Sequence, residues 1–330
     1  MPTNFKIWFV PHPYNKSDNG AVICPWNMSG LHRRKLLESH GTSVIDYSHM
    51  KNEDCDITFV GEWECCSEHR PNPLWKADLR DIYKDIHSPF LTVLDSHPQV
   101  LNTDPFVFGD YFYYVCCKVR EGMNPGDIVI FGTFKKDKPE ELIVDTVMVL
   151  LGNYEIKENE DKYFPYAYYN VTLSKILPNK KVWIGKMYDN RKHNRNYLEH
   201  IYQDLENSYN EIYNKNQKLF SFVPCKRLIE DPNNTQIVTS LPVITVKNSK
   251  GDVLKGARNG SHIEVSSASE MKDIFDDIVR QVQTNGFELG VYMPMPEFKE
   301  LKYIINKCPD CLRCKNCFML INKHYLYETK

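Results

Sequence analysis

The chain has 330 residues, 42% of them hydrophobic and 25% charged, with a formal net charge of −2. That supports a sizeable core without covalent staples and excludes a generally basic surface, so any polynucleotide partner requires a local basic patch. No run approaches the roughly 20 apolar residues of a membrane-spanning helix, and "MPTNFKIWFVPHP" lacks the apolar core and cleavage site of a signal peptide. The expectation is therefore a cytosolic protein whose eleven cysteines are reduced thiols or metal ligands.

In chain order, "KIWFVPHP" (6–13) reads as a strand ending in a loop. "MSGLHRRKLLESHG" (28–41) is predicted as a helix, with Ser29 as N-cap, a stripe of Leu31, Leu36 and Leu37, and Gly41 as its stop. "TSVIDY" (42–47) and "DITFVGEWE" (56–64) are strands, which makes an open α/β unit. Residues 65–100 form a long polar excursion with a short helix at 77–86. Three strands follow: "FVFGDYFYYVCCKV", "GDIVIFGTF" and "ELIVDTVMVLLG", the last two joined by the charged connection "KKDKPEE". Short links between them suggest an antiparallel meander or a small barrel. "VWIGKMYD" (182–189) is a strand, and residues 195–217 carry helical spacing at Leu198, Ile201, Leu205 and Ile212. Residues 219–228 are a strand or a close-packed loop, and 237–260 a strand and turn. The best helix is 266–286: a Ser cap, Glu270, then Met271, Ile274, Phe275, Ile278, Val279 and Val282, closed by Asn-Gly. "FELGVYMPMP" (287–296) is a strand ending at Pro.

Several stretches carry chemistry. In open α/β sheets ligands sit beyond the carboxyl ends of strands, so His12 and Gly61–Glu64 are expected to share a crevice. Glu62 and Glu64 lie two apart on one strand face with Trp63 opposite. Paired carboxylates repel, and one pKa rises, as general acid–base or nucleophilic work at a glycosidic carbon requires. A solvated strand end with one Glu paired to Arg33 or Arg70 is the plainer reading. "NTDP" offers the amide of Asn102, the hydroxyl of Thr103 and the carboxylate of Asp104 for the polar edge of a base or ribose; the same residues commonly cap turns before Pro. Phe106, Phe108, Tyr111 and Phe112 follow at once, as stacking surfaces for bases or as core.

"VDTVMVL" places Asp145 and Thr146 inside an apolar strand. A buried carboxylate demands a fixed partner, for which Lys118 is a candidate, and Asp145, Thr146 and Lys118 enter the candidate ligand site. "HRRK" (32–35) is a basic patch suited to phosphate or to a solvated helix face. "CPDCLRCKNC" sets Cys308, Cys311, Cys314 and Cys317 at intervals of three. Zinc is the first expectation and an iron–sulfur cluster the alternative. Phosphate-loop, dinucleotide-fingerprint, zincin and serine-hydrolase signatures are missing from the sequence.

The run "YFYYVCCKV…PGDIVIFGTF…ELIVDTVMVL" resembles small barrels of the PUA, EVE and ASCH type and the nucleotide-modification-associated domains, over about 50 residues. The resemblance implies a reader of bases or modified bases in a prokaryotic or viral DNA-modification or defence setting. "FVGEWE" is similar to a stretch of nucleoside deoxyribosyltransferases, which implies Glu62 or Glu64 as a nucleophile toward the sugar.

The resulting expectation is an α+β protein: an α/β unit (1–100) packed on a strand-rich, barrel-like core with helices (101–300), and a Cys-rich metal-binding tail (301–330). Its ligand is expected to be a nucleotide or modified nucleobase, with nucleic acid as a further partner and no membrane. An enzyme of the N-glycosidic bond using Glu62, Glu64 and Asp104, and a metal-stapled interaction module, are the alternatives.

Overall fold

The structure is a computed structural model that describes residues 4–12, 34–62, 68–69, 86–91, 105–109, 111–115, 122–156, 164, 168–169, 173, 181–188, 199–213, 219–228, 240–256 and 260–298. In chain order the strands are β1 (Phe5–Pro11), β2 (Arg34–Asp46), β3 (Lys51–Glu62), β4 (Glu68–His69), β5 (Ile86–Ser88), β6 (Phe90–Leu91), β7 (Tyr113–Tyr114), β8 (Ile128–Phe134), β9 (Leu142–Glu155) and β10 (Lys181–Gly185). Helix α1 (Glu199–Ile212) precedes β11 (Val223–Arg227), β12 (Val243–Ile244) and β13 (His262–Val265); helix α2 (Ala268–Thr284) precedes β14 (Glu288–Tyr292) and β15 (Glu297–Phe298). The class is α+β, strands predominating in two large sheets. No helix among the described residues is long and apolar enough to cross a membrane.

One sheet runs β13-β1-β8-β9-β10-β7, with β12 also on β9. β8 and β9 are the expected antiparallel hairpin, and β1 lies parallel to β8 in register Ile7↔Ile128 to Pro11↔Gly132. β8 is buried along its whole length and β9 over its first eleven residues, which explains why both read as continuous apolar runs rather than alternating ones.

The second sheet runs β14-β11-β3-β2-β5-β4, and β14 also pairs with β2. The strands β2, β3, β11 and β14 therefore form a closed circuit. So tight a ring leaves no room for a side chain where strands cross: a Cβ on Gly41 would lie 2.2 Å from the carbonyl oxygen of Tyr292. β2 corrects the expectation of a helix over 28–41. Residues 34–41 are strand, continuous with 42–46, and pair with β3 from Arg34↔Glu62 to Asp46↔Lys51. Gly41 is a point of close approach, not a helix stop. Strands from the first hundred residues are built into both sheets, and one apolar core includes residues of each.

The Gly-Asp turn before β8 has a structural role. Asp127 is fully buried and accepts from the Lys6 N–H (2.8 Å), the Asn124 N–H (3.0 Å) and Trp8 Nε1 (2.8 Å), tying β1 to the start of β8. Burial outweighs these bonds and pushes its carboxyl up to about 6 from 3.8. Ionisation thus costs the folded state more than the unfolded chain. The stability linked to this group is complete below about pH 4 and falls as pH rises toward 6, by about 3 kcal/mol in all. Urea unfolding between pH 4 and 7 should show that decline, and Asp127→Asn should flatten it while lowering stability throughout, because an amide cannot accept from all three donors.

α2 forms as its sequence demands. The Ser267 side chain accepts from the Glu270 N–H at 3.1 Å, Glu270 in turn accepts from the Ser266 N–H at 2.8 Å, and Met271, Ile274, Phe275, Ile278, Val279 and Val282 form its buried face. Ser267→Ala should cost about 1 kcal/mol, read from thermal or urea unfolding; an unchanged midpoint would mean that the cap contributes nothing.

Candidate functional site

The described residues place a buried polar cluster where β1, β8, β9 and β2 meet. His12 follows the last residue of β1, and its N–H donates to the Gly132 carbonyl at 2.8 Å. Across the hairpin Phe131 opposes Thr146 while Gly132 opposes Val144, so Asp145 is the extra residue of a β-bulge. Bulges re-aim side chains and often border functional sites. Gly132 makes this bulge feasible: a Cβ there would stand 2.2 Å from the Ile143 carbonyl oxygen.

His12 Nδ1 lies 2.9 Å from Asp145 Oδ1 and 2.8 Å from Oδ2. Arg34 Nε is 2.9 Å from Asp145 Oδ2. Arg34 Nη2 donates to Thr133 Oγ1 (2.9 Å), which itself donates to the His12 carbonyl (2.7 Å). The His12 ring packs on Phe131 at 5.0 Å between centroids. These groups are almost wholly removed from water: His12 is 1% exposed, Arg34 4%, Thr133 and Asp145 0%. Burial raises the Asp145 pKa, but the charges of His12 and Arg34, with hydrogen bonds from His12 and Thr146, outweigh it and hold the carboxyl below the ordinary aspartate range. Asp145 therefore stays ionised, with Nδ1 of His12 turned toward it. An imidazole held in this way has a fixed orientation, as proton transfer at its other nitrogen requires.

The expected partner for Asp145 exists, but it is His12 with Arg34; Lys118 lies outside the described residues. Thr146 is buried beside Asp145. Glu62 stands opposite Arg34 in the β2–β3 register, so the backbone of the "GEWE" stretch begins one strand away from the residue that grips Asp145. Trp63, Glu64, Asn102, Thr103, Asp104 and the four cysteines Cys308, Cys311, Cys314 and Cys317 also fall outside the described residues. The aromatic rings after Pro105 are core. Phe106, Phe108, Tyr111 and Phe112 are at most 3% exposed, and Phe106 stacks on Tyr168 at 4.1 Å.

Arg34 and Thr133 were not singled out by sequence. Arg34 sits in "HRRK", which reads as a helix face, and Thr133 in an apolar strand where one hydroxyl draws no notice. The available signal was Asp145 itself, since a buried carboxylate calls for a cation. Among the described residues no group of three or more His, Cys, Asp or Glu side chains is arranged to hold a metal ion. No protein-family model, curated protein or solved structure matches this chain.

Proposed function

We propose that this protein binds a nucleotide or modified nucleobase at the carboxyl ends of β1 and β8, with the His12–Asp145–Arg34–Thr133 cluster as the base of the site. One observation carries the reading. Four polar side chains, two of them an ion pair, are packed at the end of a parallel strand pair, inside strands that are otherwise apolar. Apolar residues of similar volume commonly serve stability as well or better, so the cluster calls for a role beyond holding the fold. Ligands of open sheets gather at this end of the strands. Asn102, Thr103 and Asp104 are the residues we assign to the polar edge of the base, and the resemblance to base-reading barrels supplies the DNA-modification or defence setting, in a reducing cytosol. A thermal-shift screen of nucleosides and nucleoside monophosphates tests this: at least one should raise the melting temperature in a saturable way, and silence across all of them would end the proposal.

A second reading is favoured by the orientation of His12. With Nδ1 turned to an ionised Asp145, the imidazole is arranged to move a proton at Nε2, and Glu62 is opposite Arg34 in register. This is the kind of equipment that cleavage or transfer at an N-glycosidic bond uses. Release of free base from nucleosides measures it. Turnover that vanishes in Glu62→Gln and His12→Asn while binding survives would establish an enzyme; binding without any base release would leave a reader. Cys308, Cys311, Cys314 and Cys317 are assigned to one metal, zinc first. Metal analysis of the purified chain should find one equivalent, lost when the four are changed to Ser.

A further inference from the structure

Thr133 is 0% exposed and lies in β8 among apolar side chains, where a valine would fill the same shape and leave no hydroxyl to satisfy. Its partners fix both roles of that hydroxyl. A guanidinium only donates, so Oγ1 accepts from Arg34 Nη2 at 2.9 Å. A carbonyl only accepts, so the single hydroxyl proton goes to the His12 carbonyl at 2.7 Å. No proton is left to offer a ligand. Thr133 therefore acts through its neighbours and not by touching what binds.

What it holds is the chain at the end of β1. The β1–β8 register ends at Pro11↔Gly132, and His12 is the next residue. Its N–H donates to the Gly132 carbonyl at 2.8 Å and its carbonyl accepts from Thr133, so consecutive residues of β8 grip both backbone groups of His12. The imidazole is gripped separately, by Asp145 at Nδ1. Arg34 joins the two grips, because the guanidinium that donates to Thr133 also pairs with Asp145. Backbone of His12, Thr133, Arg34, Asp145 and imidazole of His12 thus form a closed ring of polar contacts. An imidazole tied only through Nδ1 still shifts with its backbone. Tied at both ends it does not, and displacements of about 1 Å are enough to spoil a reacting geometry.

We propose that Thr133 is a positioning residue for His12, its hydroxyl locking the backbone that carries the imidazole so that Nε2 faces one direction. The use made of that direction rests on the nucleotide reading above. The lock itself is read on His12 without any ligand, so the two ideas fail separately.

The test is nuclear magnetic resonance of the full chain with 15N-labelled histidine, beside calorimetric titration with nucleoside monophosphates. Wild type should show a slowly exchanging imidazole Nδ1–H, assigned by its loss in His12→Asn. In Thr133→Val the chain should stay folded, while exchange of that proton with water quickens by about 10-fold and nucleotide affinity falls by about 10-fold, the scale of one buried acceptor left unpaired. Thr133→Ser should restore both. Ser267→Ala, which weakens a distant helix cap, should change neither. No slowly exchanging Nδ1–H in wild type overturns the proposal, as does unchanged exchange in Thr133→Val. A Thr133→Ser chain that behaves like Thr133→Val, or a Ser267→Ala chain with the same quickening, overturns it too, because general loosening would then be the cause. A Thr133→Val chain that does not fold also overturns it, since the hydroxyl would then hold the strands and not the ring. If wild type binds no nucleotide but the Nδ1–H responds as stated, the nucleotide reading falls and the role of Thr133 stands.

Discussion

Replacing Asp145 by alanine should destabilise the fold by about 3–5 kcal/mol. The variant leaves Arg34, 4% exposed, without its carboxylate, and takes from His12 both oxygens near Nδ1. Most of the loss is the cost of taking a carboxylate away from a buried guanidinium, not the worth of the pair. A compensated variant separates the two: with His12→Leu, Arg34→Met and Asp145→Leu together, the stability should return to within about 2 kcal/mol of wild type, since buried ion pairs exchanged for packed apolar residues are often neutral or better. The pH dependence has a definite sign. Because the Asp145 pKa is depressed in the fold, its contribution is present above about pH 4, the range in which the unfolded chain's aspartate ionises, and is lost as pH falls through the folded value. Urea unfolding of Asp145→Ala and wild type across pH 2–7 should show the two curves converging in acid. A single variant as stable as wild type at pH 7 would mean that Arg34 finds another counter-charge.

Gly132→Ala should have the next largest effect, at least about 3 kcal/mol, the upper part of the usual range for overpacking. The added Cβ would fall 2.2 Å from the Ile143 carbonyl oxygen, and that neighbour is backbone, which cannot swing aside as a side chain would. Relief requires β8 and β9 to separate at the bulge that presents Asp145. The same movement would disturb the His12 N–H bond to the Gly132 carbonyl, so ligand binding should weaken along with stability. Urea unfolding with a change under about 0.5 kcal/mol would show that the bulge is looser than the register implies.

Local signals in the sequence were enough wherever local physics decides the structure. α2 announces itself by Ser267, Glu270 and its apolar spacing, and the β8–β9 hairpin by two apolar runs joined through charge. β2 was not legible for the same reason. Leu36 and Leu37 beside charged residues satisfy a helical pattern, and Gly41 is an acceptable helix end; what makes 34–46 a strand is pairing with β3, β14 and β5. The misread strand hid Arg34, and with it the main partner of a carboxylate whose need for one was plain. His12, Arg34 and Asp145 are brought together from 133 residues of chain, and no spacing rule reaches that far. The aromatic run after Pro105 shows the converse limit: stacking platform and core look alike in sequence, and only burial distinguishes them.

Calorimetric titration of a nucleoside monophosphate into wild type and into the folded His12→Leu/Arg34→Met/Asp145→Leu variant tests the nucleotide site most directly. Saturable binding by wild type and none by the variant is the expected result. No binding by wild type to any nucleoside monophosphate, or equal affinity in both proteins, would contradict it.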